Sequence, residues 1–191
     1  MKKYNIIYSD PPWQYKCHSG KGKEKKTAEN HYSCMDINEI MDLPVERIAD
    51  DNAILFLWVT FPLLIDGLKT MEHWGFTYKT CGFNWVKKNK KADSWFMGLG
   101  YWTRSNSEVC LIGTKGRPQR VSKSVSQICD ARIMQHSKKP DEIRNRIVEL
   151  CGDVPRIELF ARQRAEGWDA LGNEIDGKDI RDALNEIINS V

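Results

Sequence analysis

Asp10-Pro11-Pro12-Trp13 follows directly on the apolar run Tyr4 to Ser9. It joins one carboxylate to two residues that lack a backbone N–H and hold φ at about −65°. The carbonyls of Asp10 and Pro11 are thereby fixed beside the Asp10 carboxylate, a compact set of acceptors with no competing donor and with the Trp13 indole at its end. An amino group on a flat ring suits this set: two N–H bonds to Asp10 and the Pro11 carbonyl, and the ring stacked on Trp13. A plain turn with a capping aspartate accounts for Asp-Pro-Pro equally well, and the preceding strand and the Trp tip the balance toward a site.

Other residue sets have weaker claims. Cys17, His18, His31 and Cys34 are metal-ligand types, but they form no Cys-x-x-Cys knuckle and enclose a segment of Lys, Gly and Glu, so no metal is expected. Three basic stretches read as loops: Lys21, Lys23, Lys25 and Lys26; Lys87, Lys88, Lys90 and Lys91; and Lys115, Arg117, Arg120 and Lys123. Such runs are either solvated surface or phosphate contacts. Trp95, Tyr101 and Trp102 lie among Gly, Ser and Asn near Arg104, where stacking on unpaired bases competes with local loop packing. Trp58, Trp74 and Trp85 sit in apolar patterns and read as core.

The elements that must position these residues follow from periodicity. Tyr4 to Ser9, Ala53 to Val59, Glu108 to Gly113 and Arg156 to Phe160 are short apolar runs bounded by turn formers, as expected of strands buried on both faces. Phe76 to Val86 is a further strand-like run. Phe61 to Trp74, Pro140 to Leu150 and Asp179 to Val191 have helical spacing. Alternating strands and helices predict an α/β fold, a mostly parallel sheet with helices on both faces, which binds ligands at the carboxyl ends of its strands.

The 191 residues, 41% hydrophobic and 29% charged, suit one domain over 1–191 and exclude a disordered or collagen-like chain. The net charge of +3, from 29 Lys+Arg against 26 Asp+Glu, does not by itself indicate a nucleic-acid partner. The longest apolar run falls far short of a bilayer span and no signal-peptide pattern opens the chain, so a cytoplasmic protein with reduced thiols is expected.

SDPPW together with FLWVT (Phe56 to Thr60), WGF, NWVK, GLGYWTRSNSE (Gly98 to Glu108), HSKKPDE, IELFAR and GWDALGNE (Gly167 to Glu174) resembles the MT-A (seventy-kilodalton) family of adenine-N6 methyltransferases, in order and over nearly the whole chain. The resemblance implies S-adenosylmethionine (SAM), a Rossmann-like methyltransferase fold with β-type motif order, and adenine in nucleic acid as acceptor. DNA is favoured over RNA by likeness to compact bacterial and phage members. Cytosine-N4 methylation and a non-catalytic nucleic-acid-binding subunit are the alternatives. A core this small points to a second copy or a partner subunit for target recognition.

Adenine N6 is a poor nucleophile because its lone pair is delocalised into the ring. Acceptors on both N–H bonds would draw that pair out of the ring plane, so the catalytic set is Asp10, Pro11, Pro12 and Trp13, and an elevated pKa at Asp10 is not required. For the cofactor, Lys139 with Ser137 and His136 precedes a helix N-terminus suited to the methionine carboxylate. By resemblance, Arg162 and Asn173 contact the ribose, with Glu174 beside them; Phe160 and Gln163 line the adenine slot; Arg164 reaches the methionine end; and Ser9 and Asp10 complete the site. Gly98 and Gly100 read as hinges. Lys87, Lys88, Lys90, Lys91, Trp95, Tyr101, Trp102, Arg104, Arg117, Arg120 and Lys123 are expected to hold nucleic acid. No glycine-rich phosphate loop is present, and how the cofactor adenine is held is left unassigned.

Overall fold

The computed structural model describes residues 1–14, 35–100, 102–135 and 138–190. The Cys17, His18, His31 and Cys34 set, the first basic stretch, Tyr101, His136 and Ser137 lie outside the described residues.

Among the described residues, seven strands form one sheet in the order β5-β3-β4-β2-β1-β6-β7. They are β1 (Tyr4–Ser9), β2 (Ala49–Val59), β3 (Thr77–Val86), β4 (Ser107–Lys115), β5 (Ile128–Cys129), β6 (Arg156–Leu159) and β7 (Asp169–Leu171). β1 pairs in parallel with β2 and β6, β6 with β7, and β3 with β5, whereas β4 is antiparallel to both of its neighbours. Six strands therefore point one way, and β4 alone is reversed. The Glu108 to Gly113 run reads like its parallel neighbours because burial on both faces sets that pattern, and pairing direction leaves no mark on it.

Alternation along the strands divides the core. Ile7, Leu55, Leu57 and Val59 pack with Ile40, Met71, Ile180 and Leu184 on one face. These partners come from α1 (Ile37–Met41), α3 (Leu64–His73) and α6 (Ile180–Asn189), and α2 (Val45–Ile48) packs on the same side. Ile6, Tyr8, Phe56 and Trp58 pack with Ile143 and Ile147 of α4 (Glu142–Cys151) on the other. Trp58, Trp74 and Trp85 are buried, as their apolar settings predict.

The helical pattern from Phe61 divides into a 3-10 turn (Phe61–Leu63) and α3, because Pro62 at the start favours tight entry. Two short strands, β5 and β7, and the four-residue helices α2 and α5 (Asn173–Asp176) carry too few residues to display a period. No helix among the described residues is long and apolar enough to cross a membrane.

Candidate active site

The carboxyl ends of β1, β6 and β7 meet at one cleft, lined by Asp10, Pro11 and Pro12 after β1, Lys138 and Lys139 before α4, Phe160, Arg162 and Gln163 after β6, and Asn173 and Glu174 at the start of α5. Residues separated by up to 164 positions thus share one wall. Asn173 is brought there by a close backbone crossing: Ala161 N–H donates to Leu171 O at 2.9 Å, and a Cβ on Gly172 would stand 2.2 Å from Ala161 O. Phe160, at φ +60°, adopts a left-handed conformation that bulky residues rarely hold, at the turn from β6 into the cleft.

The reversed strand supplies a component that the motif reading missed. Because β4 runs antiparallel, its first residues reach the same edge as the last residues of β1, and Glu108 meets the cleft cations. Lys139 Nζ lies 2.8 Å from Asp10 Oδ2 and 3.2 Å from Glu108 Oε2, and Glu108 also pairs with Lys87. The result is a line of alternating charge, Asp10–Lys139–Glu108–Lys87. It passes over the Trp58 ring, whose centroid is 5.5 Å from Lys139 Nζ. Trp58 Nε1–H in turn donates to Tyr8 Oη at 2.7 Å. The Lys139 and Glu108 side chains are largely withdrawn from solvent, and Asp10 stays partly open.

Burial raises the Asp10 carboxyl above its ordinary value, and the attraction of Lys139 offsets only part of that. The shift arises because the carboxylate sits down in the cleft, with one side still open, and Glu108 stands nearby. Burial pulls Glu108 upward too, but Lys139 and Lys87 together outweigh it and hold Glu108 at about 2. Lys139 is raised, its two carboxylates overcoming the burial that opposes its charge.

These shifts have opposite consequences for stability. Ionised Glu108 stabilises the fold above its ordinary 4.5, and that contribution disappears as pH falls from 4.5 to about 2. Ionised Asp10 works against folding as pH rises through its elevated value. Glu108→Gln should therefore flatten the loss of thermal stability between pH 4.5 and 2; an unaltered slope in melting experiments would show that Glu108 gains no net stabilisation from its cations.

A second buried pair borders the cleft. Arg144 of α4 grips Glu158 of β6 through Nε and Nη2 at 2.6 and 2.9 Å, and both line the wall beside Tyr8. A glutamate inside the apolar run IELF was the available sequence signal for this pair, since a charge in a strand buried on both faces needs a partner.

Several expected site residues stand elsewhere. Trp13 is 9% exposed and belongs to the core. Its Nε1–H donates to Trp58 O at 3.0 Å, so it anchors the Asp-Pro-Pro turn onto β2 and offers no open stacking face. The Pro11 carbonyl accepts the Trp13 N–H at 2.8 Å, leaving one lone pair for an incoming donor. Arg164 is exposed, does not line the cleft, and lies near Asp169, whose charge it helps to stabilise. Lys87 is committed to Glu108, and Lys88 to Asp130 at 2.9 Å, so these two lysines of the second basic stretch are engaged within the protein.

Arg117, Arg120 and Lys123 are displaced from the cleft altogether. Lys115 ends the reversed strand opposite Ala53, whereas Val109 lies opposite Val59. Six residue steps at about 3.3 Å separate these pairings, roughly 20 Å. The third basic stretch therefore leaves from the opposite edge of the sheet from Asp10.

The donor set fits a SAM-sized polar cofactor in composition. Arg162 and Gln163 offer N–H groups, and Asn173 and Glu174 offer acceptors; Arg162 Nε is 3.4 Å from Glu174 Oε1. At the strand ends, buried Ser9 Oγ and Thr60 Oγ1 find no hydrogen-bond partner among the described residues.

Comparison with known proteins places these features in context. The family described as MT-A70 matches residues 4–174. The Type II methyltransferase M.MunI of Mycoplasma sp is 33% identical over 195 residues, covering 94% of this chain and 81% of that protein. The N(6)-adenosine-methyltransferase catalytic subunit METTL3 of Homo sapiens is 31% identical, covering 95% of this chain and 30% of its own length. The MT-A70-like N(6)-adenosine-methyltransferase of Drosophila melanogaster is 32% identical, over 93% and 28% respectively. The chain thus spans less than a third of these two animal relatives.

Proposed function

Because the chain belongs to the MT-A70 family and is an adenine-N6 methyltransferase, we propose that its acceptor is adenine in DNA, with Asp10 as the residue that addresses the amine and SAM as the methyl donor. The observation that carries this assignment is the Asp10 carboxylate, which follows β1 into the cleft and is clamped at 2.8 Å by Lys139. DNA is favoured because the chain has the compact form of the Type II methyltransferase, matched over 81% of its length, rather than that of the subunit named for adenosine and matched over 30%.

Asp10 accepts one N–H of the amine and the Pro11 carbonyl the other, which directs the N6 lone pair out of the ring plane and stabilises the positive charge that grows on nitrogen. Lys139 holds the carboxylate in place, so no reorientation is needed during the reaction. SAM supplies an electrophilic methyl on its sulfonium. Arg162 and Asn173 bind its ribose with Glu174 beside them, Phe160 and Gln163 border its adenine, and the amino end of α4 attracts its carboxylate. Exposed Lys90, Lys91 and Arg104 contact phosphates, and Trp95, 51% exposed, stacks on a base.

Nucleoside mass spectrometry after incubation with methyl-labelled SAM and DNA tests the reading. N6-methyladenine is expected. N4-methylcytosine would overturn the choice of base, and tight DNA binding without SAM binding by calorimetry would identify a non-catalytic subunit. Phosphate contacts make a separate expectation: binding should weaken with salt along a log–log slope of about −0.9 per neutralised phosphate on duplex. Replacing Lys90 and Lys91 with Gln should reduce the slope by about 1–2 units, whereas an unchanged slope returns them to solvated surface.

A further inference from the structure

Between β3 and β4 the described residues 87–100 and 102–106 form a narrow finger rooted in the active site. Lys87 at its base pairs with Glu108 at its return, and Glu108 reaches Asp10 through Lys139. Its arms are tied by Phe96 N–H to Lys87 O at 2.8 Å and by Gly98 N–H to Ser105 O at 2.9 Å. Gly98 and Gly100, expected as hinges, stand where the two arms approach closely. A Cβ on Gly98 would stand 2.6 Å from Ser105 O, and one on Gly100 would stand 1.9 Å from Thr103 O, so both are required by the close approach of the two arms.

That tight closure turns large side chains outward. Met97 is 66% exposed, Leu99 78% and Trp102 91%, and Trp102 has φ +69°. Met97 and Leu99, two large apolar groups this close together on a rim, are costly in water unless something covers them, and a non-glycine left-handed residue such as Trp102 is retained where the surrounding structure requires it. The same segment, residues 90–106, carries Lys90, Lys91 and Arg104 against the single acid Asp93, a charge balance that favours a polyanion with an apolar interior. Duplex DNA has both properties.

We infer that Leu99 and Met97, supported by Trp102, form a wedge that enters the base stack of duplex DNA and holds open the gap left when the target adenine turns into the Asp10 cleft. Leu and Met are residue types used to part base steps, and an enzyme acting on a base inside a duplex must unstack it. The inference rests on the DNA-adenine reading above. The glycine-tightened arms keep the tip of the finger from collapsing onto the protein.

The test compares methyl transfer to a random-sequence DNA pool offered single-stranded and offered as duplex, for the unaltered chain, Leu99→Ala and Leu99→Ala/Met97→Ala. The duplex-to-single-strand rate ratio should fall about tenfold in the double variant, because single strands have no stack to part. A ratio equal to that of the unaltered chain overturns the wedge, as does an unaltered chain that modifies single strands only. A change from dimer to monomer in sedimentation, with the ratio preserved, would reassign the tip to a contact between copies. No transfer to either form by the unaltered chain, with folding intact, would remove the DNA-adenine reading itself and the wedge with it.

Discussion

Asp10→Asn should slow methyl transfer in a single turnover by about 10²–10³-fold, the scale for one preorganised polar group facing charge that develops in a transition state. The substitution keeps the shape and one acceptor but removes the charge that Lys139 holds at 2.8 Å, and it adds an NH₂ donor within reach of the amine. Lys139 keeps Glu108 as a partner at 3.2 Å, so the cleft is not left with an isolated buried cation. SAM affinity should fall by much less than the rate, since Arg162, Asn173 and Glu174 approach the cleft from β6 and α5. Rapid-quench rates at saturating SAM, with SAM titrations on the same variant, separate the two effects. A near-normal rate would place the chemistry elsewhere.

Lys139→Met should have the largest effect on stability. It removes the cation shared by two carboxylates and leaves Glu108 only Lys87. Breaking a buried pair by deleting one partner costs about 3–5 kcal/mol, because the remaining charge loses its compensation. Burial already raises Asp10, with Lys139 opposing it, so the variant should raise Asp10 further. The acting form accepts an N–H and is deprotonated; activity is therefore lost as pH falls through the Asp10 value, and the acid limb of the rate profile should move to higher pH. The double variant Lys139→Met/Glu108→Gln should recover part of the stability, since it removes the opposing charge as well. Lower stability with an unmoved acid limb would leave Lys139 a structural role and remove its influence on Asp10.

Local pattern was sufficient for much of this protein. The β1 boundaries, Tyr4–Ser9, follow from an apolar run stopped by two prolines, and α4 follows from helical spacing ended by Gly152. Asp10, Pro11, Pro12 and Lys139, candidates from motif and strand-end position, and Phe160, Arg162, Gln163, Asn173 and Glu174, candidates by resemblance, all line the one cleft. Strand-end position and residue chemistry are both written in consecutive residues.

Orientation is not written there. An apolar run buried on both faces has the same composition in either direction, so nothing in Glu108 to Gly113 signals that β4 is reversed. That reversal alone carries Glu108 to the cleft and sends Lys115, with the basic stretch after it, to the opposite edge. Whether a cation binds phosphate or an internal acid was equally hidden: Lys87 and Lys90 look alike in sequence, and only folding sets Glu108 beside Lys87. Trp13 reads as a stacking face until β2 offers its indole the Trp58 carbonyl. Which residues could act was thus determined by the chain itself; which of them act together was decided by strand direction and by the pairing that burial imposes on charge.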